Sequence, residues 1–270
     1  MLVMSFSISD AFSRIVLTGT CKNVFDYTAN PLGSNVVTAA WSNGSTALKG
    51  YSVTGLTFTA PVVLSANYYD DYEFLGKNGI PDDATTGYSE MSGYGKRYSG
   101  GCKGQLTGNW TARLTSQLAG STYSVMYYDD RYRVIQRKGN NSLNGMEAVY
   151  TSYNFEGSPV KEKRIHSVPG QDIITEVRNH TYDLANRLLQ TTYQLNDDAP
   201  VILVDNVYDE IGRLKTEKRT GHSKLRTDYT YNLRSWTKGI NGPLFHQTLT
   251  YQESIDGTTP CYNGNISSMI

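Results

Sequence analysis

One seven-residue segment constrains this chain more than any bulk property: Tyr208-Asp209-Glu210-Ile211-Gly212-Arg213-Leu214, flanked by stretches of alternating polar and apolar residues. Tyrosine suits the end of an incoming strand. The aspartate after it can bond its own backbone two residues on, as an Asx turn. Gly212 supplies the positive φ of a G1-bulge turn, and Arg213 and Leu214 restart the alternation. The segment predicts a β-hairpin with a loop of three to five residues.

The unit recurs. Tyr182-Asp183 is followed by Asn186 and Arg187, Tyr153-Asn154 by Gly157, and Tyr128-Asp129 by Tyr132, which fits the turn poorly. Looser copies start at Tyr231-Asn232 and Tyr262-Asn263. The variations are chemically sensible, because asparagine tolerates the left-handed turn position and can replace aspartate as the acceptor. Successive tyrosines are 25, 29, 26, 23 and 31 residues apart. Such a period marks supersecondary modules that bury their faces by stacking on neighbours.

Composition points the same way. Of the 270 residues, 21 are Tyr and 25 Gly against 7 Phe and 3 Trp, a bias that suits half-buried strands joined by tight turns. The expected class is all-β, with an antiparallel repeat sheet. Basic and acidic residues cancel at 25 each, so no net field draws the chain to nucleic acid. No apolar run approaches the roughly 18 residues of a membrane span, so no transmembrane segment is expected. The start lacks a basic region before Asp10 and is broken by serine, which favours a strand over a signal peptide. Any export signal is expected outside this chain.

Three regions follow. Residues 1–66 carry five charges and short alternating runs, as in a small β-sandwich. Residues 67–122 are glycine-rich and poorly periodic, as in a linker or covering segment. Residues 123–270 hold the tyrosine units.

With its YDxxGRL signature at intervals of twenty-odd residues, the chain resembles the RHS/YD-repeat family, most closely over residues 123–270. Asn67–Gly79 and Gly104–Leu114 look like segments that precede the repeats in Bacteroidetes members, while residues 1–66 match weakly. The resemblance implies strands wound into a curved, hollow shell of a secreted or cell-surface protein. It also implies further YD repeats and a C-terminal, toxin-like effector domain as partners. Six units are fewer than a closed capsule needs, and the family's DPxG-type self-cleavage motif has no counterpart, so a fragment lacking core and toxin domain is expected. No catalytic residue carries over.

Other chemistry finds little support. Cys21, Cys102 and Cys261 form no CxxC pair and are expected as free thiols. His166, His180, His222 and His246 lack metal-ligand spacing, and the Asp pairs at 70–71, 82–83, 129–130 and 197–198 sit in no calcium-loop pattern. The basic, glycine-rich Gly93–Gly104 run precedes no helix that could help cradle phosphate. No catalytic, cofactor-binding or metal site is expected, and the chain is not expected to be an enzyme. Its expected function is structural, with carbohydrate binding or adhesion through the repeat tyrosines as the alternative.

Overall fold

The computed structural model describes residues 4–22, 36–43, 46–114, 120–220, 223–255 and 257–270, so His222 lies outside the described residues. The fold is all-β and antiparallel, and among the described residues its helical content is two three-residue 3-10 turns, Thr46–Leu48 and Ser223–Leu225. Two compact units divide the chain. The first holds residues 1–152 and 164–174, and the second holds residues 153–163 and 175–270.

The first unit contains β1 (Met4–Ser9), β2 (Ile15–Cys21), β3 (Thr38–Trp41), β4 (Tyr51–Thr54) and β5 (Val62–Asp70). It continues with β6 (Cys102–Ala112), β7 (Ser121–Tyr128), β8 (Val134–Asn140) and nearly all of β9 (Met146–Tyr153). The sheet order is β1-β2-β5-β6-β7-β8-β9, each pair antiparallel, with β3 and β4 forming a separate hairpin. Residues 1–66 therefore supply β1, β2 and the first part of β5 as well as the hairpin. Ala39 of β3 and Tyr51 of β4 join Leu17, Ala66, Val125 and Tyr127 of the sheet in one buried cluster.

That core is unusually aromatic. Trp41 meets Tyr51 and Tyr68 edge-on at 5.7 and 5.5 Å, Tyr68 stacks on Phe74 at 4.5 Å, and Tyr72 stacks on Tyr127 at 4.8 Å. Buried tyrosines are tolerated because each phenol finds a backbone carbonyl: Tyr51 on Asn67, Tyr68 on Lys49 and Tyr127 on Thr86. Phe74 and Ile80 come from the segment between β5 and β6, whose glycines suggest a surface loop. At Gly108 of β6 the glycine has a packing reason, since a Cβ there would lie 2.3 Å from the Phe74 ring.

Strand β10 (Pro159–Ser167) is divided between the units. The second unit then runs through β11 (Ile174–Tyr182, from Thr175 on), β12 (Leu188–Leu195), β13 (Val201–Tyr208) and β14 (Leu214–Arg219). It ends with β15 (Arg226–Tyr231), β16 (Thr237–Asn241), β17 (His246–Thr250) and β18 (Ser268–Met269). From β11 to β18 each strand pairs antiparallel with the next in sequence. Packing here is thin: among the described residues, Leu249 and Tyr251 are the only buried apolar side chains of this unit. Strand β11 alternates no buried face with an exposed one, and β12 buries only Thr191.

Candidate functional site

In the second unit, where the core is sparse, order comes from the hairpin turns. At Asp209, one carboxylate oxygen accepts the amides of Ile211 (3.1 Å) and Arg213 (2.8 Å), and the other accepts Arg213 Nε at 2.7 Å. The backbone closes the loop with Asp209 N to Arg213 O at 2.8 Å and Gly212 N to Asp209 O at 3.0 Å. Gly212 sits at φ 91°, the left-handed region glycine occupies without penalty. A carboxylate four residues before an arginine thus satisfies two amides and a guanidinium at once, in charge-assisted bonds stronger than neutral ones.

The same bonds recur at Asp183, which accepts Ala185 N, Arg187 N and Arg187 Nε at 2.9, 2.9 and 2.6 Å around Asn186 at φ 59°. Asp129 accepts Arg131 N, Arg133 N and Arg133 Nε at 2.9, 2.9 and 2.7 Å around Tyr132, which is held at φ 59° despite its bulk. Asn232 keeps the two backbone bonds, to Arg234 and Trp236, with Ser235 at the left-handed position. Asn154 accepts Ser158 N at 2.8 Å around Gly157 at φ 99°. Tyr262 and Asn263 follow a different geometry: Gly264 takes the positive φ directly after Asn263, and Asn265 N bonds the Asn263 side chain.

Adjacent turns are cross-linked. Asn154 Nδ2 donates to Asn186 Oδ1 at 2.8 Å, and Asn186 Nδ2 to Ser158 Oγ at 2.9 Å. Arg213 Nη1 donates to Asn232 O at 3.0 Å. The tyrosines form a second series, each donating to the carbonyl that opens the preceding hairpin's outgoing strand. Tyr182 bonds Pro159 at 2.9 Å, Tyr208 bonds Leu188 at 3.1 Å, Tyr231 bonds Leu214 at 2.8 Å and Tyr251 bonds Thr237 at 2.8 Å. Tyr251, rather than Tyr262, holds the last place in this series. Arg187 and Arg213 lie over the rings of Tyr208 and Tyr231, both at 4.7 Å, adding cation–π contacts between successive units. Tyr231→Phe should cost about 0.5–1.5 kcal/mol, the net worth of one hydrogen bond, read as a lowered urea midpoint with an unchanged slope.

Two Asp copies lie outside the units read from the sequence, beside an arginine-less copy at Asn141, which accepts Leu143 N and Gly145 N at 3.0 and 2.9 Å around Asn144 at φ 60°. Asp10 accepts Phe12 N, Arg14 N and Arg14 Nε at 2.9, 3.0 and 2.7 Å around Ser13 at φ 63°. An Asp-x-x-x-Arg search with a small or polar residue before the arginine would have found it. The second is Tyr69-Asp70, where Tyr69 donates to Ile15 O, the carbonyl just after Arg14, at 3.4 Å. Arg14 lies over Tyr69 at 4.3 Å and binds both Asp70 oxygens at 3.0 and 2.7 Å. Here residues 71–101 replace the tight turn between β5 and β6.

That inserted segment is anchored on β7 and β8. Lys138, buried and with its pKa lowered by desolvation, donates to Ala84 O, Gly87 O and Ser89 Oγ at 3.1, 2.8 and 2.9 Å. Gln136 holds Ser89 through both its amide atoms, and Tyr72 donates to Met126 O at 2.8 Å.

The Arg14 hydrogen bonds hold the Asp70 carboxyl below the usual carboxylate range. Its folded pKa lies below its unfolded value, so its stabilisation is present above about pH 4 and is lost as pH falls through the lowered value. Thermal melts from pH 6 to pH 2.5 should show a smaller acid-induced drop for Asp70→Asn than for the unsubstituted chain.

No three His, Cys, Asp or Glu side chains converge as metal ligands among the described residues. Cys21, Cys102 and Cys261 are free thiols. Among the described residues no helix is long and apolar enough to cross a membrane.

No protein-family model matches the sequence, and no curated protein matches it. A solved structure described as TcdB2-TccC3-Cdc42 aligns with 94% of this chain at 9% identity and a TM-score of 0.29. The chain spans 14% of that protein's length.

Proposed function

We propose that this chain is a non-catalytic wall segment of a secreted or cell-surface YD-repeat protein of the RHS kind, one that encloses or displays a C-terminal effector domain. The observation that carries this reading is the turn ladder. In each well-formed copy the aspartate carboxylate holds backbone amides and an arginine, and tyrosine hydroxyls are spent on neighbouring carbonyls. Groups committed in this way build a surface and leave little free for chemistry. The same commitment weighs against the repeat tyrosines as a sugar-binding platform. Thin burial in the second unit suits a sheet that stands between two environments instead of under a second layer.

Immunoblotting of fractionated source cells, with an antibody raised against this chain, tests the proposal. The expected result is a secreted or surface-exposed band well above 30.0 kDa, the mass of this chain. A cytosolic band at that mass would contradict it.

A further inference from the structure

Where residues 71–101 replace a tight turn, the protein builds a cavity of about 310 Å³ lined by Tyr72, Tyr88, Arg97, Tyr98, Cys102 and Tyr128. Its volume is at the lower end of small-ligand sites, enough for about one sugar ring. We infer that this pocket binds a carboxylate-bearing saccharide, with Arg97 taking the carboxylate and the tyrosine rings taking the apolar face of the sugar.

Arg97 carries the argument. Its guanidinium lies over Tyr72 at 4.6 Å and Tyr127 at 5.3 Å, and no carboxylate pairs with it among the described residues. Arg14, Arg133, Arg187 and Arg213 by contrast each hold an aspartate at 2.6–2.7 Å. Its position is fixed at the backbone, where Arg97 N donates to the Tyr88 hydroxyl at 3.0 Å, and its side chain is exposed to an incoming ligand. A planar guanidinium held against rings presents its fork for two-point binding of a carboxylate, which a lysine could not match.

Three of the neighbouring polar groups are already occupied. Cys102 Sγ donates to Asp70 O at 3.1 Å, Tyr72 Oη to Met126 O at 2.8 Å, and Tyr128 Oη to Leu106 O. What the cavity offers a ligand is therefore one cation, several aromatic faces and the hydroxyls of Tyr88, Tyr98 and Ser99, with no acidic residue in its lining to repel an anion. Aromatic faces beside a cation favour a compact ring bearing a carboxylate over a flexible acidic side chain. This inference goes beyond the wall-segment reading and draws on one repeat tyrosine, Tyr128, whose hydroxyl stays committed to Leu106 O while its ring forms part of the cavity wall.

Titration calorimetry of the purified chain with tetragalacturonate, maltotetraose and tetraglutamate tests it. Tetragalacturonate should bind, maltotetraose and tetraglutamate at least tenfold more weakly. Arg97→Gln should weaken tetragalacturonate at least tenfold with its melting temperature unchanged, and Tyr98→Ala should weaken it several-fold. The inference is overturned if tetragalacturonate does not bind, if either control binds equally well, or if Arg97→Gln binds as the unsubstituted chain does.

Discussion

Phe74→Ala should destabilise the first unit by about 3–5 kcal/mol, the range for removing a fully buried aromatic ring from a packed core. Phe74 is 1% exposed, stacks on Tyr68 and rests on Gly108. Its removal leaves a void between the inserted segment and β6 that neither backbone can readily close. Gly108→Ala should destabilise as well, because its Cβ would meet the ring at 2.3 Å. The pair is informative: in the double variant the new methyl occupies space the ring has left. The combined loss should therefore be smaller than the sum of the single losses, and urea unfolding of the four proteins measures that coupling. Strict additivity would mean that the ring does not rest on Gly108.

Asp129→Ala should cost about 2–3 kcal/mol, since it orphans two backbone amides and the Arg133 guanidinium in a turn whose aspartate is 7% exposed. Asp129→Asn should cost markedly less. It keeps an acceptor for both amides and forfeits only the ionic partner, as Asn232 does in its own turn. Equal losses for the two variants would show that the arginine, not the amide pair, holds the turn.

The sheet was legible because the turn chemistry is local. Asp, three loop residues and Arg specify a hairpin from adjacent residues alone, and Gly212 or Asn186 marks the left-handed position. What escaped was whatever depends on distant partners. Asp10–Arg14 lacks the preceding tyrosine, and Tyr69-Asp70 is separated from its outgoing strand by residues 71–101, so neither resembles a unit in sequence. Glycine was the second source of difficulty: Gly108 reads as a loop signal but makes room for Phe74 within an eleven-residue strand. Of the Arg97 cavity the sequence showed only the basic, glycine-rich Gly93–Gly104 run, because the rest of its lining comes from elsewhere in the inserted segment and from the end of β7.

The account's central claim is that one turn geometry repeats through the chain. Amide hydrogen exchange resolved by residue tests it directly, because the geometry assigns every turn the same pattern. The amides two and four residues after the acceptor should be protected: Arg131 and Arg133, Ala185 and Arg187, Ile211 and Arg213, Arg234 and Trp236. The amide directly after the acceptor, as at Leu184, Glu210 and Leu233, should exchange near the rate of an open chain. A protected–fast–protected pattern in phase across all four turns is the expected result. Uniformly fast exchange at the protected positions, or patterns that differ from turn to turn, would contradict it.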